Sequence, residues 1–549
     1  MSRRLTTFPR PAARTGLMAL IVLVTVSQYY ALYVQGSVSP AIIDHFDMSL
    51  RYYVLVSVVG NAVGAIASLM AGLADRWGRV NLVLGGLLAT SLLILFGLPN
   101  AGSRTAYLVL FAVVSVTEGA VLTITPALMR DYSVQRSRGA AMGIWAFGPV
   151  CGSLAVSTVA SHTLPTHPDW RFQFWVCGSA GLAVFAVAAI GLRDLDAPLR
   201  AQVRRSAREE RLVAARLAAG AEPRLPAAGL RVMLTPRIVL PALAYAIFLL
   251  FYFSRIAFFV LYLTTNYGYS SARANALENW FWGANAVALI VFGLIADRVG
   301  VRKPFIVAGT LICVSGVIGW TIVATHRDTG YYTFAVLLLL CAVGGGMASA
   351  NWLAAFSEAV EQRSPALVAT GMAVWGWLVR ATVAAALLSV TFLVGAAGTL
   401  VDHGARVKAI TTQYAPELQT LAAIWPATLA ALHRPPVAAP VRVAAVTEIA
   451  GTLHVPPAVA ARRLAATARV PAADLAYLQK HGAEVRRAVA DGPHQWQRWW
   501  WVCVAGQLLF VPATWLLGGR WSRRKARADA QAVERQVDAE LRELVGANG

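Results

Sequence analysis

The chain has 549 residues, of which 57% are hydrophobic and only 14% charged, and it carries a net charge of +21. That balance is too apolar for the surface of a soluble globular protein of this length, so a membrane is the expected solvent. The positive charge lies in loops that flank apolar stretches, where anionic lipid headgroups rather than nucleic acid are the natural partner.

Apolar stretches of about 20 residues can cross a bilayer as helices that satisfy their own backbone hydrogen bonds. About twelve occur, beginning near Gly16, Tyr53, Val80, Ala106, Ala140, Phe172, Ile238, Asn275, Pro304, Tyr331, Ala366 and Trp499. The first follows Arg3, Arg4, Arg10 and Arg14 without a small-residue cleavage signal after it, so it reads as an uncleaved span. With the N-terminus in the cytoplasm, 30 Lys and Arg fall in cytoplasmic segments against five in short outer loops, namely Arg51, Arg104, Arg171, Arg273 and Arg327. The positive-inside rule then predicts cytoplasmic termini and, for a bacterial cell, the inner membrane.

In chain order, residues 1–192 read as six spans and 193–237 as a cytoplasmic linker with ten arginines. Within the linker, Arg204 to Leu217 has helical periodicity and reads either as a helix on the cytoplasmic membrane face or as a solvated linker. Residues 238–398 carry spans seven to eleven. Residues 399–498 form an extracytoplasmic insert, expected to be a small helical cap over the outer mouth. Pro426 to Leu432, Ala458 to Ala466 and Ala472 to Lys480 read there as short helices between Pro and Gly breaks. The last span, 499–520, opens with Trp496, Trp499, Trp500 and Trp501, the pattern of an interfacial aromatic belt. A cytoplasmic tail covers 521–549. The cysteines Cys151, Cys177, Cys313, Cys341 and Cys503 all lie in spans without metal-like spacing, so neither a disulfide framework nor a metal site is expected.

The most specific pattern appears twice at joins between spans on the cytoplasmic side: Gly72-Leu73-Ala74-Asp75-Arg76-Trp77-Gly78-Arg79 and Gly293-Leu294-Ile295-Ala296-Asp297-Arg298-Val299-Gly300-Val301-Arg302-Lys303. A carboxylate at a helix end, a glycine turn and several guanidinium groups make a charge latch that one conformation can hold and another release. A second repeat, Gln135-Arg136-Ser137 before Gly143 and Gly148, recurs as Gln362-Arg363-Ser364 before Gly371 and Gly376. The double motif resembles the loop signature of the major facilitator superfamily. That resemblance implies an all-α membrane protein of about twelve helices in two pseudo-symmetric six-helix bundles, moving a small solute by alternating access. It also implies that helices one, four, seven and ten line a central cavity, flanked by two, five, eight and eleven. Monomers are usual in the superfamily.

Ionisable groups inside spans are expensive and point to function. Glu118, Arg255 and Arg380 lie near the middle of spans four, seven and eleven, and the resemblance lets all three meet at the cavity. Arg255 and Arg380 are candidates for the negative group of a small anionic solute, since guanidinium forks suit carboxylates. Glu118 is the candidate carrier of a coupling proton; the competing reading is a structural pair of Glu118 with one of the arginines, holding the bundles together. Gln28, Tyr29 and Tyr30, with Asn285 and Asn351, are further candidates for orienting the solute. Glu278 and Asn279 lie near the outer end of span eight and suit solute admission, whereas Trp280-Phe281-Trp282-Gly283 reads as packing.

The expectation is a proton-coupled symporter. The alternative is a drug or metabolite:proton antiporter, because Gly148-Pro149-Val150-Cys151-Gly152 resembles the Gly-Pro signature of that branch, with Ser153 in place of a second glycine. The branch's intramembrane arginine corresponds here to Ser115. A transporter-like receptor using the insert as a sensor is a further reading. No phosphate-binding glycine loop and no nucleophile with a base are apparent, so neither ATP-driven transport nor an enzyme is expected, and no cofactor is called for.

Overall fold

A computed structural model describes residues 4–69, 78–133, 138–196, 198–200, 233–363, 368–432, 436, 438–517 and 521, 522, 524, 528, 531 and 535. Gly72, Asp75, Arg76, Gln135, Arg136, Ser137 and Ser364 lie outside the described residues, as do Arg204 to Leu217 and most of the tail. Among the described residues, twelve helices are long and apolar enough to cross a membrane: Pro11–Ser37, Leu50–Ser68, Arg79–Asn100, Arg104–Tyr132, Ala141–Thr163, Trp170–Gly191, Pro236–Tyr267, Ser271–Val299, Lys303–Val323, Tyr331–Val360, Thr370–Leu393 and Ala472–Leu516. These are spans one to twelve below.

Local chemistry sets many of their ends. Proline opens the first and seventh spans, where its missing N–H costs nothing. Ser103, Asp169 and Ser270 cap spans four, six and eight by accepting from Ala106 N, Arg171 N and Arg273 N. Gly300 ends span eight at φ 78°, a left-handed turn that a side chain would strain. With an even number of crossings, the loop before span three and the loop after span eight share one face of the membrane with the N-terminus, here termed the terminal side.

The chain divides into two compact units, Met1–Leu393 with Trp496–Gly549, and Val394–Gln495. In the first unit the two halves touch through span two against eleven, span five against eight and span one against seven. Phe392, Ile190 and Ile66 are among the apolar side chains left exposed, as lipid-facing positions should be. A two-residue parallel ladder, Arg4–Leu5 with Asp194–Leu195, ties the N-terminal segment to the chain after span six. The second unit has its own small core of Ile424, Ala445, Ile449 and Ala460, covered by Leu432, Leu453 and Leu464.

Two expectations are corrected here. The segment from Ala472 is no short helix: one helix runs unbroken over Ala472–Ala513, through Gly492 and Pro493. A proline withholds a single donor, and a long helix with intact ladders on both sides carries it, as Pro126 and Pro241 also illustrate. Nor do the tryptophans form a lipid-facing belt. Trp496, Trp499 and Trp500 are buried, and only Trp501 is exposed. Spacings of three and four put the buried three on one helix face, where Trp496 and Trp500 meet Phe251, Phe258, Tyr262 and Trp320 edge-on and Trp499 Nε1 donates to Ser254.

Candidate functional site

Glu118 and Arg380, 262 residues apart in sequence, face each other across the two halves. Arg380 Nη2 lies 3.8 Å from Glu118 Oε1, and Glu118 is fully buried. Neither oxygen of Glu118 has a hydrogen-bond partner, so the guanidinium charge is its compensation among the described residues. Two glycines make the meeting possible. A Cβ on Gly119 would lie 2.6 Å from Gly64 O, so spans two and four touch backbone to backbone. A Cβ on Gly64 would lie 2.6 Å from Arg380 Nη1, so the arginine of span eleven passes over span two through the notch that Gly64 leaves.

Arg380 also lines a cavity of about 260 Å³ between the halves. Ser68, Ala127, Arg130, Met142 and Met372 on its wall lie near the terminal-side ends of spans two, four, five and eleven, so the cavity occupies the terminal-side half of the membrane. Tyr29 and Asn285 line it, and Asn285 Nδ2 donates to Ala342 O at 2.9 Å. The wall is largely apolar, with an aromatic group of Trp145, Tyr245, Tyr252, Phe253 and Trp375 among its aliphatic residues. Tyr33 lines this cavity and two smaller ones. None of these six was singled out from sequence, because an aromatic in an apolar span carries no local mark of the face it takes.

Arg255 does not join Glu118 and Arg380. It is buried and paired with Glu278 of span eight, with its guanidinium carbon 3.4 Å from the Phe281 ring centre and 4.6 Å from that of Trp282. Because a carboxylate one helix away and two aromatic faces compensate the charge locally, the side chain has no need of the main cavity. It borders instead a small cavity of about 40 Å³ with Tyr33, Ser157 and Asn275. Gln28, Tyr30 and Asn351 are also absent from the main cavity wall. All three are buried; Asn351 Nδ2 returns to Met347 O, and among the described residues the Gln28 amide and Tyr30 hydroxyl have no partner. Gly148 and Gly152 of the Gly-Pro segment lie against Thr25 and Tyr29, a close contact between spans five and one.

On the far side, hydrogen bonds cross between the halves. Asn279 Oδ1 accepts from Ser157 at 2.6 Å and Thr158 at 3.2 Å, Asn279 Nδ2 donates to Ser161 at 3.2 Å, and Asn275 Nδ2 donates to Ser37 O at 2.9 Å. Span eight is thereby tied to spans five and one, one half to the other.

On the terminal side the two latch copies show related geometry. Gly78 takes φ 88° and starts span three, whose Arg79 Nη1 donates to Asp131 at 2.8 Å. Arg79 N donates to Asp194, which Arg200 also holds at 2.5 Å. In the second half Arg302 joins Asp297 at 2.9 Å and Glu358 at 2.8 Å. Asp131 and Glu358, at the ends of spans four and ten, are the latch partners that the motif did not name. A signal for them was present: each stands four residues before its Gln-Arg-Ser repeat. Arg298 lies beside Gly300 at the end of span eight, and Gly293 one turn before Asp297.

The Major Facilitator Superfamily profile matches residues 21–387. A relative, Efflux pump radE of Floropilus chiversii, is 25% identical over 190 residues, which is 34% of this chain and 34% of that one, so the match spans about a third of the relative. Among solved structures, a bacterial homolog to human lysosomal transporter, Spinster, in an inward-facing and unoccupied conformation, aligns with a TM-score of 0.55 at 14% identity, covering 94% of this chain and 100% of that one. Its inward-facing, occupied form aligns at a TM-score of 0.50 and 16% identity, covering 92% and 97%. At these identities the likeness concerns the fold.

Proposed function

The chain belongs to the Major Facilitator Superfamily, and from that premise we propose that it is a proton-coupled symporter of an organic anion. The observation that carries the reading is the Glu118–Arg380 pair, whose arginine lines the cavity. An incoming carboxylate competes with Glu118 for Arg380. A fully buried carboxylate that loses its counter-charge binds a proton rather than remain charged in a medium of low polarity. One anion and one proton then cross together, the far side opening as the terminal side closes over them. In this reading Tyr29 and Asn285 orient the solute, while Asp131, Glu358 and the latch arginines hold and release the terminal-side ends.

We place the protein in the cytoplasmic membrane as a monomer with both termini in the cytoplasm, a topology supported by the 30 to five distribution of basic residues. The second reading, export by proton antiport, is favoured by the efflux-pump relative. Proteoliposome uptake under an imposed proton gradient separates the two. For the symporter, Glu118→Gln should abolish gradient-driven accumulation while solute exchange at equilibrium persists. Transport by Glu118→Gln with its full pH dependence would refute the proton role, and movement of solute against the proton flux would favour export.

A further inference from the structure

We infer that the solute is an aromatic carboxylate, its anionic group held by Arg380 and its ring system stacked within the aromatic wall of the cavity. The inference rests on the anion-transport reading above and narrows it. Two features of the wall carry it.

The first is charge. Among the described lining residues the ionised side chains are Arg130 and Arg380, and none is Asp, Glu, Lys or His. Trp375 adds a buried indole N–H with no hydrogen-bond partner among the described residues. Aromatic walls also suit cations, but Glu118, the carboxylate paired with Arg380, is not among the lining residues, so the charge that Arg380 presents on the wall disfavours them. The Arg380 guanidinium and the Trp375 N–H call for an acceptor-bearing, negative group.

The second is shape and polarity. Tyr29, Trp145, Tyr245, Tyr252, Phe253 and Trp375 line a space of about 260 Å³. Tyr245 is itself held flat against Trp352, with ring centres 3.8 Å apart, so this part of the wall is braced. A small hydrophilic acid occupies the arginine and leaves that wall wet. A ring system displaces the water and gains offset or edge-on contacts with rigid partners. Each additional buried CH2-sized unit is worth about fourfold in affinity, so the apolar part of the ligand dominates selection.

The test uses the full chain in detergent for binding and in proteoliposomes for uptake, with four probes: 2-naphthoate, acetate, 2-naphthylmethanol and 2-naphthylmethylammonium. We expect 2-naphthoate to bind at least about 100-fold more tightly than acetate, from its buried ring area. It should also exceed the ammonium probe by about 10- to 100-fold, the worth of a charge-assisted hydrogen bond. Arg380→Gln should lower 2-naphthoate affinity by that same factor and leave 2-naphthylmethanol unchanged. The wild-type series decides the matter even if that variant fails to fold. Acetate bound and carried as well as 2-naphthoate would overturn the aromatic assignment while leaving anion transport intact. Preference for the ammonium probe would overturn both, and failure to bind any naphthyl probe would overturn the aromatic assignment.

Discussion

Substituting Gly64→Ala tests whether Glu118 competes with the solute for Arg380. The new Cβ would stand 2.6 Å from Arg380 Nη1 and 3.3 Å from Cζ, so the guanidinium must retreat by about 1 Å to reach ordinary contact. At the 3.8 Å of the Arg380–Glu118 pair, an effective dielectric of about 20 gives roughly 4 kcal/mol of attraction. Moving the charge about 1 Å further away removes about 1 kcal/mol, or about fivefold in an equilibrium that breaks the pair. Because the solute breaks that pair on binding, the variant should bind 2-naphthoate about fivefold more tightly and couple its uptake to protons less strictly. Its thermal unfolding should stay near wild type, since a flexible side chain yields easily, apart from modest crowding at Ser115 O. Gly119→Ala is the control: its Cβ meets the Gly64 backbone at 2.6 Å, which cannot yield without parting the helices, at about 1–3 kcal/mol. Isothermal titration and thermal unfolding of both variants in detergent supply the readouts. Unchanged or weaker binding by a normally stable Gly64→Ala protein would refute the competition.

Asn279→Ala deletes three hydrogen bonds across the far side; at about 1 kcal/mol each, a Val156→Cys reporter in the small inner cavity should react much faster with an impermeant maleimide added from that side, and an unchanged rate would show that the clasp does not hold the gate. Arg255→Met leaves Glu278 buried and unpaired, at about 3–5 kcal/mol, and pairing it with Glu278→Gln should recover most of the thermal stability; a stable Arg255→Met protein that loses solute binding would instead make Arg255 a ligand. On the terminal side, Asp131 is 3% exposed and Glu358 49%, so Asp131→Asn should lower the unfolding temperature more than Glu358→Gln, whose ion pair is worth about 0–1 kcal/mol under solvent screening. The reverse order would contradict the burial argument.

Part of the site was legible before the fold. Glu118 and Arg380 stood out because charge inside an apolar span is costly and must be compensated. The same argument found Arg255 but not its partner, since Glu278 sits on another span and sequence spacing says nothing about which helix faces are opposed. Asp131 and Glu358 were recoverable by aligning the two halves back from Gln-Arg-Ser. Gly64 was not, because nothing distinguishes a glycine that admits a neighbour's guanidinium from one that packs.

What the sequence by itself determined is the membrane, the number of spans and the relation between the halves. Each of these follows from properties that a segment carries alone: its length, its polarity and its repeated turn chemistry. Tertiary structure decided the rest. It turned three tryptophans inward, carried a helix through Gly492 and Pro493, drew Arg255 to Glu278 and brought Arg380 to Glu118. Those outcomes depend on which helix faces are opposed, and a buried charge or ring goes where another segment can compensate it.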